Sequence, residues 1–301
     1  MDEHAWLADR FEEQRPRLRG VAYRMLGSLA EADDAVQEAW LRVGRAGADE
    51  VENLGGWLTT IVARVCLNML RTRDRRREDS LEVHVPDPVV SPVGALAPEE
   101  EALLADSVRL ALQVVLDTLS PAERLAFVLH DLFELPFEEI APMVGRSPVA
   151  ARQLASRARR RVRGAEIRAP ETDPARQRAV VDAFFAAARG GDFDALVAVL
   201  DPDVVLRIDA GFTRRAASMV VRGAAAVASQ TSMGLRSLLG RPSTRLHPAL
   251  VNGAAGVIVS MDGRPVNVMG FTVVDGRIVE IDAIADPERV GRIATAALGD
   301  Q

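Results

Sequence analysis

The chain has 301 residues, 48% of them hydrophobic and 27% charged, with 37 arginines, no lysine and a formal net charge of −6. That length suits two or three domains, and the negative balance excludes a chain that coats nucleic acid with its whole surface, so the placement of the arginines matters most. No apolar run approaches the roughly 18 residues of a membrane span, and the acidic opening MDEHAWLADRFEEQ is unlike a signal peptide, so a cytoplasmic protein with no membrane partner is expected. The pattern predicts a first helix over residues 11–29, with Leu18, Val21, Ala22, Met25 and Leu26 inward. A second, about Glu31 to Val43, should bury Val36, Ala39, Trp40 and Val43 and turn Asp33, Asp34, Gln37 and Glu38 to solvent. After a loop from Gly47 to Gly56, GWLTTIVARVCLNMLR predicts a third helix ending in the basic run Arg71, Arg73, Arg75, Arg76 and Arg77. Its Cys66 is the only cysteine, which rules out an internal disulfide and reads as a buried structural thiol.

Residues 81–99 carry Pro86, Pro88, Pro92 and Pro98 and no helical period, which predicts a linker with exposed backbone from Val83 to Val90. The stretch Leu135 to Arg163 then predicts two helices joined by a tight turn. Pro136 starts the first, which buries Phe137, Ile140, Ala141 and Val144, and Gly145 ends it in the left-handed conformation glycine adopts cheaply. Ser147 caps the second, with Pro148 at its first position. Ala151, Leu154, Ala155, Ala158 and Val162 share one face of that helix, while Arg152, Gln153, Ser156, Arg157 and Arg160 share the other. A helix in a DNA major groove needs such a face: arginine can bond guanine bidentately, glutamine can read adenine, and other cations meet phosphates.

Beyond Arg163 the sequence changes character. A helix is expected from Asp173 to Arg189, a short one from Phe193 to Leu200, and strands at 204–209, 256–261, 265–274 and 277–284, the last two joined by the hairpin pair Asp275-Gly276. This order of helices and strands resembles the SnoaL-like fold, some of whose members use a buried Asp–His pair in a pocket; the resemblance implies Asp209, Asp282 and His247 as candidates, although His247 reads as part of an R-L-H-P turn. The histidines His4, His84, His130 and His247 are scattered without metal-ligand spacing, so neither metal nor cofactor is expected.

The order DDAVQEAWLR, GWLTTIVARVCL, LSPAERLAFVLHD and then the helix-turn-helix resembles an extracytoplasmic-function sigma factor of bacterial RNA polymerase. The C-terminal order of helix, helix, strand and hairpin-rich sheet resembles the cone-shaped SnoaL-like fold. The resemblance implies a multidomain chain: two all-α sigma domains and an α+β SnoaL-like domain. Their expected bounds are 1–80 for region 2, 81–106 for a proline-rich linker, 107–167 for region 4 and 173–301 for a SnoaL-like regulatory domain. It also implies core RNA polymerase and promoter DNA as partners. Asp33, Asp34, Gln37 and Glu38 would then contact the polymerase clamp helices. Residues 48–54 with Trp57, Arg64 and Arg71 would serve the minus-ten element, and Arg146, Ser147, Arg152, Gln153, Ser156, Arg157 and Arg160 the minus-thirty-five element. Sigma factors with such a fused domain carry WLPEP-, DGGGK- and NPDKL-like motifs. Partial matches stand here at His84-Val85-Pro86-Asp87-Pro88, at Asp209-Ala210-Gly211-Phe212-Thr213-Arg214 and at Ala285-Asp286-Pro287-Glu288-Arg289. Pro86, Asp87, Pro88, Asp209, Gly211, Asp286 and Pro287 are therefore expected in a regulatory contact, with no catalytic activity and a small ligand in the last domain left open. The competing classes are a ligand-responsive regulator that binds DNA without polymerase and, more remotely, a cyclase or isomerase; residues 11–77, which such a regulator would not need, favour the sigma factor.

Overall fold

The computed structural model describes residues 3–46, 53–77, 83–94, 110–164, 171–211 and 217–298. It divides into one unit made of Met1–Leu81 with Leu112–Ile167 and another made of Glu82–Ala111 with Arg168–Gln301.

The first unit is all helix. Helices α1 (Glu3–Leu26), α2 (Leu29–Ala46) and α3 (Leu54–Arg77) pack on one another. The first helix begins eight residues earlier than its apolar pattern predicted, since Leu7 and Phe11 are buried in line with Leu18 and prolong the inward stripe. Trp40 is only half buried and packs its ring 4.9 Å from that of Phe11. Cys66 is fully buried, which pushes its thiol up and keeps it unreactive. Helices α4 (Leu110–Asp117), α5 (Pro121–Phe127), α6 (Phe137–Val144) and α7 (Pro148–Gly164) follow, with a π turn at Val128–Leu132 continuing α5. Within this unit Arg124, 1% exposed, donates to the Arg24 carbonyl at 3.1 Å and to Asp117 at 2.8 Å, so a guanidinium from α5 fastens the end of α1.

The second unit is built on a seven-stranded sheet in the order β1-β4-β5-β6-β7-β2-β3. The strands are β1 (Val90–Pro92), β2 (Leu200–Asp209), β3 (Met219–Arg222), β4 (Thr244–Val251), β5 (Ala254–Met261), β6 (Arg264–Val274) and β7 (Arg277–Ile284). All neighbours are antiparallel except β2 with β7. The β6–β7 turn is the expected hairpin, with Asp275 and Gly276 both at positive φ. Helices α8 (Pro174–Gly190), α9 (Phe193–Val199) and α10 (Ala224–Leu239) join one sheet face in a core containing Phe184, Phe185, Val227 and Phe271. Helix α11 (Pro287–Leu298) and residues 85–90 cover part of the other face around Val251, Ile258, Val268 and Ile284. This is the α+β architecture that the SnoaL-like resemblance implies.

Two expectations are corrected. Residues 83–92 do not present free backbone: the Val85 amide bonds Asp209 at 2.9 Å, the Val89 amide bonds the Asn252 side chain at 2.7 Å, and β1 forms the edge of the sheet. Proline spacing shows that this segment cannot be helical, yet it does not distinguish a solvated linker from a strand docked on a distant edge. His247 lies within β4, not in a turn, because Pro248 is tolerated where it pairs with Val257. Among the described residues no helix is long and apolar enough to cross a membrane.

Candidate functional site

The helix-turn-helix is built as its sequence dictates. Pro136 holds an extended φ of −69° before α6, and Gly145 ends it at φ 66°, ψ 41°. The Arg146 amide closes the turn on the Ala141 carbonyl at 3.0 Å, and the Ser147 hydroxyl accepts from the Ala150 amide at 3.3 Å. Ala151, Ala155 and Ala158 are buried; their small side chains let α7 approach α5 closely. Arg146, Ser147, Arg152, Gln153, Ser156, Arg157 and Arg160 are all exposed. The Arg152 guanidinium rests over the Phe137 ring at 5.4 Å, which fixes it near the helix start. Arg157 and Arg161 instead turn to Glu123 in α5, at 3.0 and 2.6 Å, and Arg159 turns to Asp131 at 2.6 Å.

On α2, Asp33, Asp34, Gln37 and Glu38 form one exposed acidic face. Asp33 pairs with Arg19 at 2.7 Å and Glu38 with Arg42 at 2.9 Å. A groove of ≈440 Å³ runs beside Glu38 between α2 and α3. On α3, Arg64 and Arg71 are exposed and Trp57 is half buried. These three recur every seven residues, and a helix drifts only ~20° per heptad, so they share one side. Arg73 does not join them: it donates to the Leu26 carbonyl at 3.1 Å and to Glu31. The expected minus-ten loop at 48–54 lies outside the described residues except Asn53 and Leu54; the Asn53 side chain caps α3 through the Gly56 amide at 3.0 Å.

In the second unit, segments far apart in sequence meet at Arg289. Its guanidinium donates to Asp87 at 2.6 Å, to Asp209 at 2.6 Å and to the Val85 carbonyl. Asp209 also accepts from the amides of Val85 at 2.9 Å and Gly211 at 3.0 Å, and His84 Nδ1 stands 3.4 Å away. Burial pushes the Asp209 carboxyl up, but His84, Arg289 and the Val85 amide outweigh it and hold it well below the usual carboxylate range. Gly211 has φ +75°, and a Cβ there would fall on the Asp286 carboxylate, so glycine is needed twice over. Pro86 and Pro88 are buried in the same contact, while Pro287 is exposed at the start of α11. Asp87, Asp209 and Asp286 thus bond Arg289 directly, and the Gly211 amide bonds Asp209.

The acid–base candidates do not come together. Asp209, Asp282 and His247 all lie on the sheet face opposite the Phe184–Phe271 core, by strand alternation with Ile208, Ile281 and Leu246. Asp282 pairs with Arg207 at 3.1 Å and His247 with the Ser260 hydroxyl at 2.7 Å. None of the three lines the ≈540 Å³ cavity bounded by Val197, Leu200, Pro202, Arg222 and Arg277. The residues missed from sequence are Glu123 and Arg124; Arg289 stood at the end of the NPDKL-like match, but without its role as the joining guanidinium. The S-x-x-E spacing of Ser120 and Glu123 marks a capping box and was the one local signal among them.

Residues 10–76 match the Sigma-70 region 2 family and residues 109–162 match Sigma-70 region 4. The chain is 38% identical over 288 residues to the ECF RNA polymerase sigma factor SigJ of Mycobacterium tuberculosis, covering 93% of this chain and 91% of that protein. It is 34% identical over 287 residues to the sigma factor SigI of the same species, covering 95% and 96%. The crystal structure of SigJ superposes with a TM-score of 0.71 at 36% identity, covering 97% of this chain and 99% of that one.

Proposed function

Since the chain belongs to the extracytoplasmic-function sigma factors of bacterial RNA polymerase, a transcription initiation factor that binds core polymerase and promoter DNA, we propose how its residues divide that work. Residues 1–80 act as region 2: Asp33, Asp34, Gln37 and Glu38 take the polymerase clamp, and Trp57, Arg64 and Arg71 take the minus-ten DNA. Residues 107–167 act as region 4. Arg152 and Gln153, near the start of α7, read base edges of the minus-thirty-five element, while Arg146, Ser147, Ser156 and Arg160 meet phosphates. The observation that supports this is the single exposed polar face of α7 beside a buried alanine face. The factor works in the cytoplasm with its polymerase.

Residues 173–301 regulate the factor by holding the 81–106 segment and carry out no turnover: Asp282, His247 and Asp209 are each engaged by a separate partner, Arg207, Ser260 and Arg289. The Arg289 clasp carries this reading. A segment that connects regions 2 and 4 is fixed to the sheet by Val85, Asp87 and Val89, so its reach depends on whether the clasp is closed.

Footprinting with and without core polymerase tests the first part: protection of the promoter should require core, and Asp34→Arg with Glu38→Arg should abolish co-purification with it. Strong specific protection by the chain alone would overturn the division. For the regulatory part, Asp87→Asn and Arg289→Met should each change transcription output in the same direction, and the double variant should add nothing further. Additive effects would show that the two residues act separately.

A further inference from the structure

The arginines of α7 are not equally free to meet DNA. Glu123 is 5% exposed, yet both its oxygens are engaged. Oε1 accepts from Arg157 Nε at 3.0 Å; Oε2 accepts from Arg161 Nη1 at 2.6 Å, from the Ser120 hydroxyl at 2.8 Å and from the Ser120 amide at 3.3 Å. Burial alone would push this carboxyl up, but Ser120 and Arg157 outweigh it and keep it an anion. Arg157 and Arg161 are four residues apart on one side of α7 and about half exposed, at 48% and 54% of their side chains. An ion pair so open to water is weak when both partners are mobile. Here one partner is not: as the third residue of the capping box, Glu123 is fixed in place whether or not the arginines are present. A phosphate can recruit these arginines only by stripping a nearly buried carboxylate of its cations, which a bare desolvated charge resists.

Resting on the reading that α7 faces promoter DNA, we propose that Glu123 is a specificity-determining positioning residue, an internal counter-anion that withholds Arg157 and Arg161 from the DNA backbone. Sequence-independent attraction is thereby reduced, and discrimination falls to Arg152 and Gln153. Two more cations on phosphate would strengthen binding to every sequence alike and dilute the contribution of base contacts.

The test uses holoenzyme assembled from core polymerase and the full chain, with affinity measured against salt on a promoter and on the same duplex with its upstream element scrambled. Arg160→Gln is the reference and should lower the slope of log K against log salt by about 0.9, one phosphate contact. The double variant Arg157→Gln with Arg161→Gln should leave that slope unchanged; a fall of about 1.8 would mean both arginines already sit on phosphate and would overturn the proposal. Glu123→Gln should steepen the slope by up to about 1.8, tighten binding to the scrambled duplex and lower the promoter-to-scrambled ratio. Adding Arg157→Gln and Arg161→Gln to it should restore the original slope. The triple variant should be no more stable to heat than Glu123→Gln although its slope returns to the original, which separates positioning from mere destabilisation. If Arg160→Gln and the other variants are all silent, the reading of α7 on DNA fails and the role of Glu123 with it. If only the Arg157 and Arg161 pair lowers the slope alongside Arg160, that role alone fails.

Discussion

The two units group their paired charges in opposite proportion around a buried partner. In the first, two arginines, Arg157 and Arg161, share one acid, Glu123, while Arg124 bonds Asp117 and the Arg24 carbonyl. In the second, carboxylates outnumber their arginines twice over, with Asp87 and Asp209 sharing Arg289, and Asp282 and Glu280 sharing Arg207. The surplus sets what each unit responds to. The α7 arginines that Glu123 does not hold, Arg152 and Arg160, answer to a polyanion and to salt, which screens them. Spare carboxylate answers to protons, because the second acid on a shared cation is the one whose ionisation is least well supported. The distinction also separates a fastening from a clasp. Arg124 is almost inaccessible and pairs with Asp117, whereas Arg289 is partly exposed and holds a segment remote in sequence both from itself and from Asp209.

The sharpest way to break the comparison is at Arg124. Arg124→Met leaves Asp117 short of its guanidinium in a site almost without water, and breaking a buried pair from one side costs about 3–5 kcal/mol. Hydrogen exchange on the full chain should show protection lost together in α1 and α5, and a loss under about 1 kcal/mol would mean the arginine is not a fastening. Arg289→Ala should cost less, about 2 kcal/mol, because water can reach Asp87 and Asp209 once the guanidinium is gone. Its effect should be local: the Val85 and Val89 amides should exchange faster and residues 83–92 should become sensitive to protease, while α1 and α5 stay protected. Arg289→Lys should not rescue them, since an ammonium cannot replace a planar fork that reaches three oxygens on two segments.

What the sequence made legible follows the range of its physics. The helix-turn-helix was readable residue by residue, because Pro136, Gly145, Ser147 and the alanine stripe are local signals with local causes. The hairpin at Asp275-Gly276 was readable for the same reason. The docking of residues 83–92 was not, since β1 pairs Val90 with Val251 across the chain and proline spacing carries no address. The family motifs name Asp87, Asp209, Gly211, Asp286 and Arg289, yet nothing in the sequence shows that the Arg289 guanidinium bonds Asp87 and Asp209. Arg124 escaped because an arginine among apolar neighbours reads as a solvated side chain, and only the Arg24 carbonyl and Asp117 reveal why it is buried. Strand β4 was missed because Pro248 interrupts it.

The smallest effect is a titration, and it sharpens the comparison within the second unit. Asp282 is buried, and burial pushes its carboxyl up to about 6 although Arg207 pulls the other way, because Glu280 adds its charge and competes for the same guanidinium. An unfolded aspartate titrates near about 3.9. Between about pH 4 and 6 the folded protein therefore keeps a proton that the unfolded chain has released, and stability falls as pH rises through that window. Asp209 has the opposite sign: its folded carboxyl is held below the unfolded value, so its stabilisation is present above about pH 4 and is lost as pH falls further. Urea unfolding of the full chain at stepped pH, with hydrogen exchange resolving the strands β2 and β7, should show the fall between pH 4 and 6 as about 1–2 kcal/mol. Asp282→Asn should abolish that fall and leave the acid loss below pH 4; Asp209→Asn should do the reverse. If Asp282→Asn leaves the fall between pH 4 and 6 intact, the shared arginine is not what makes the second unit sensitive to protons.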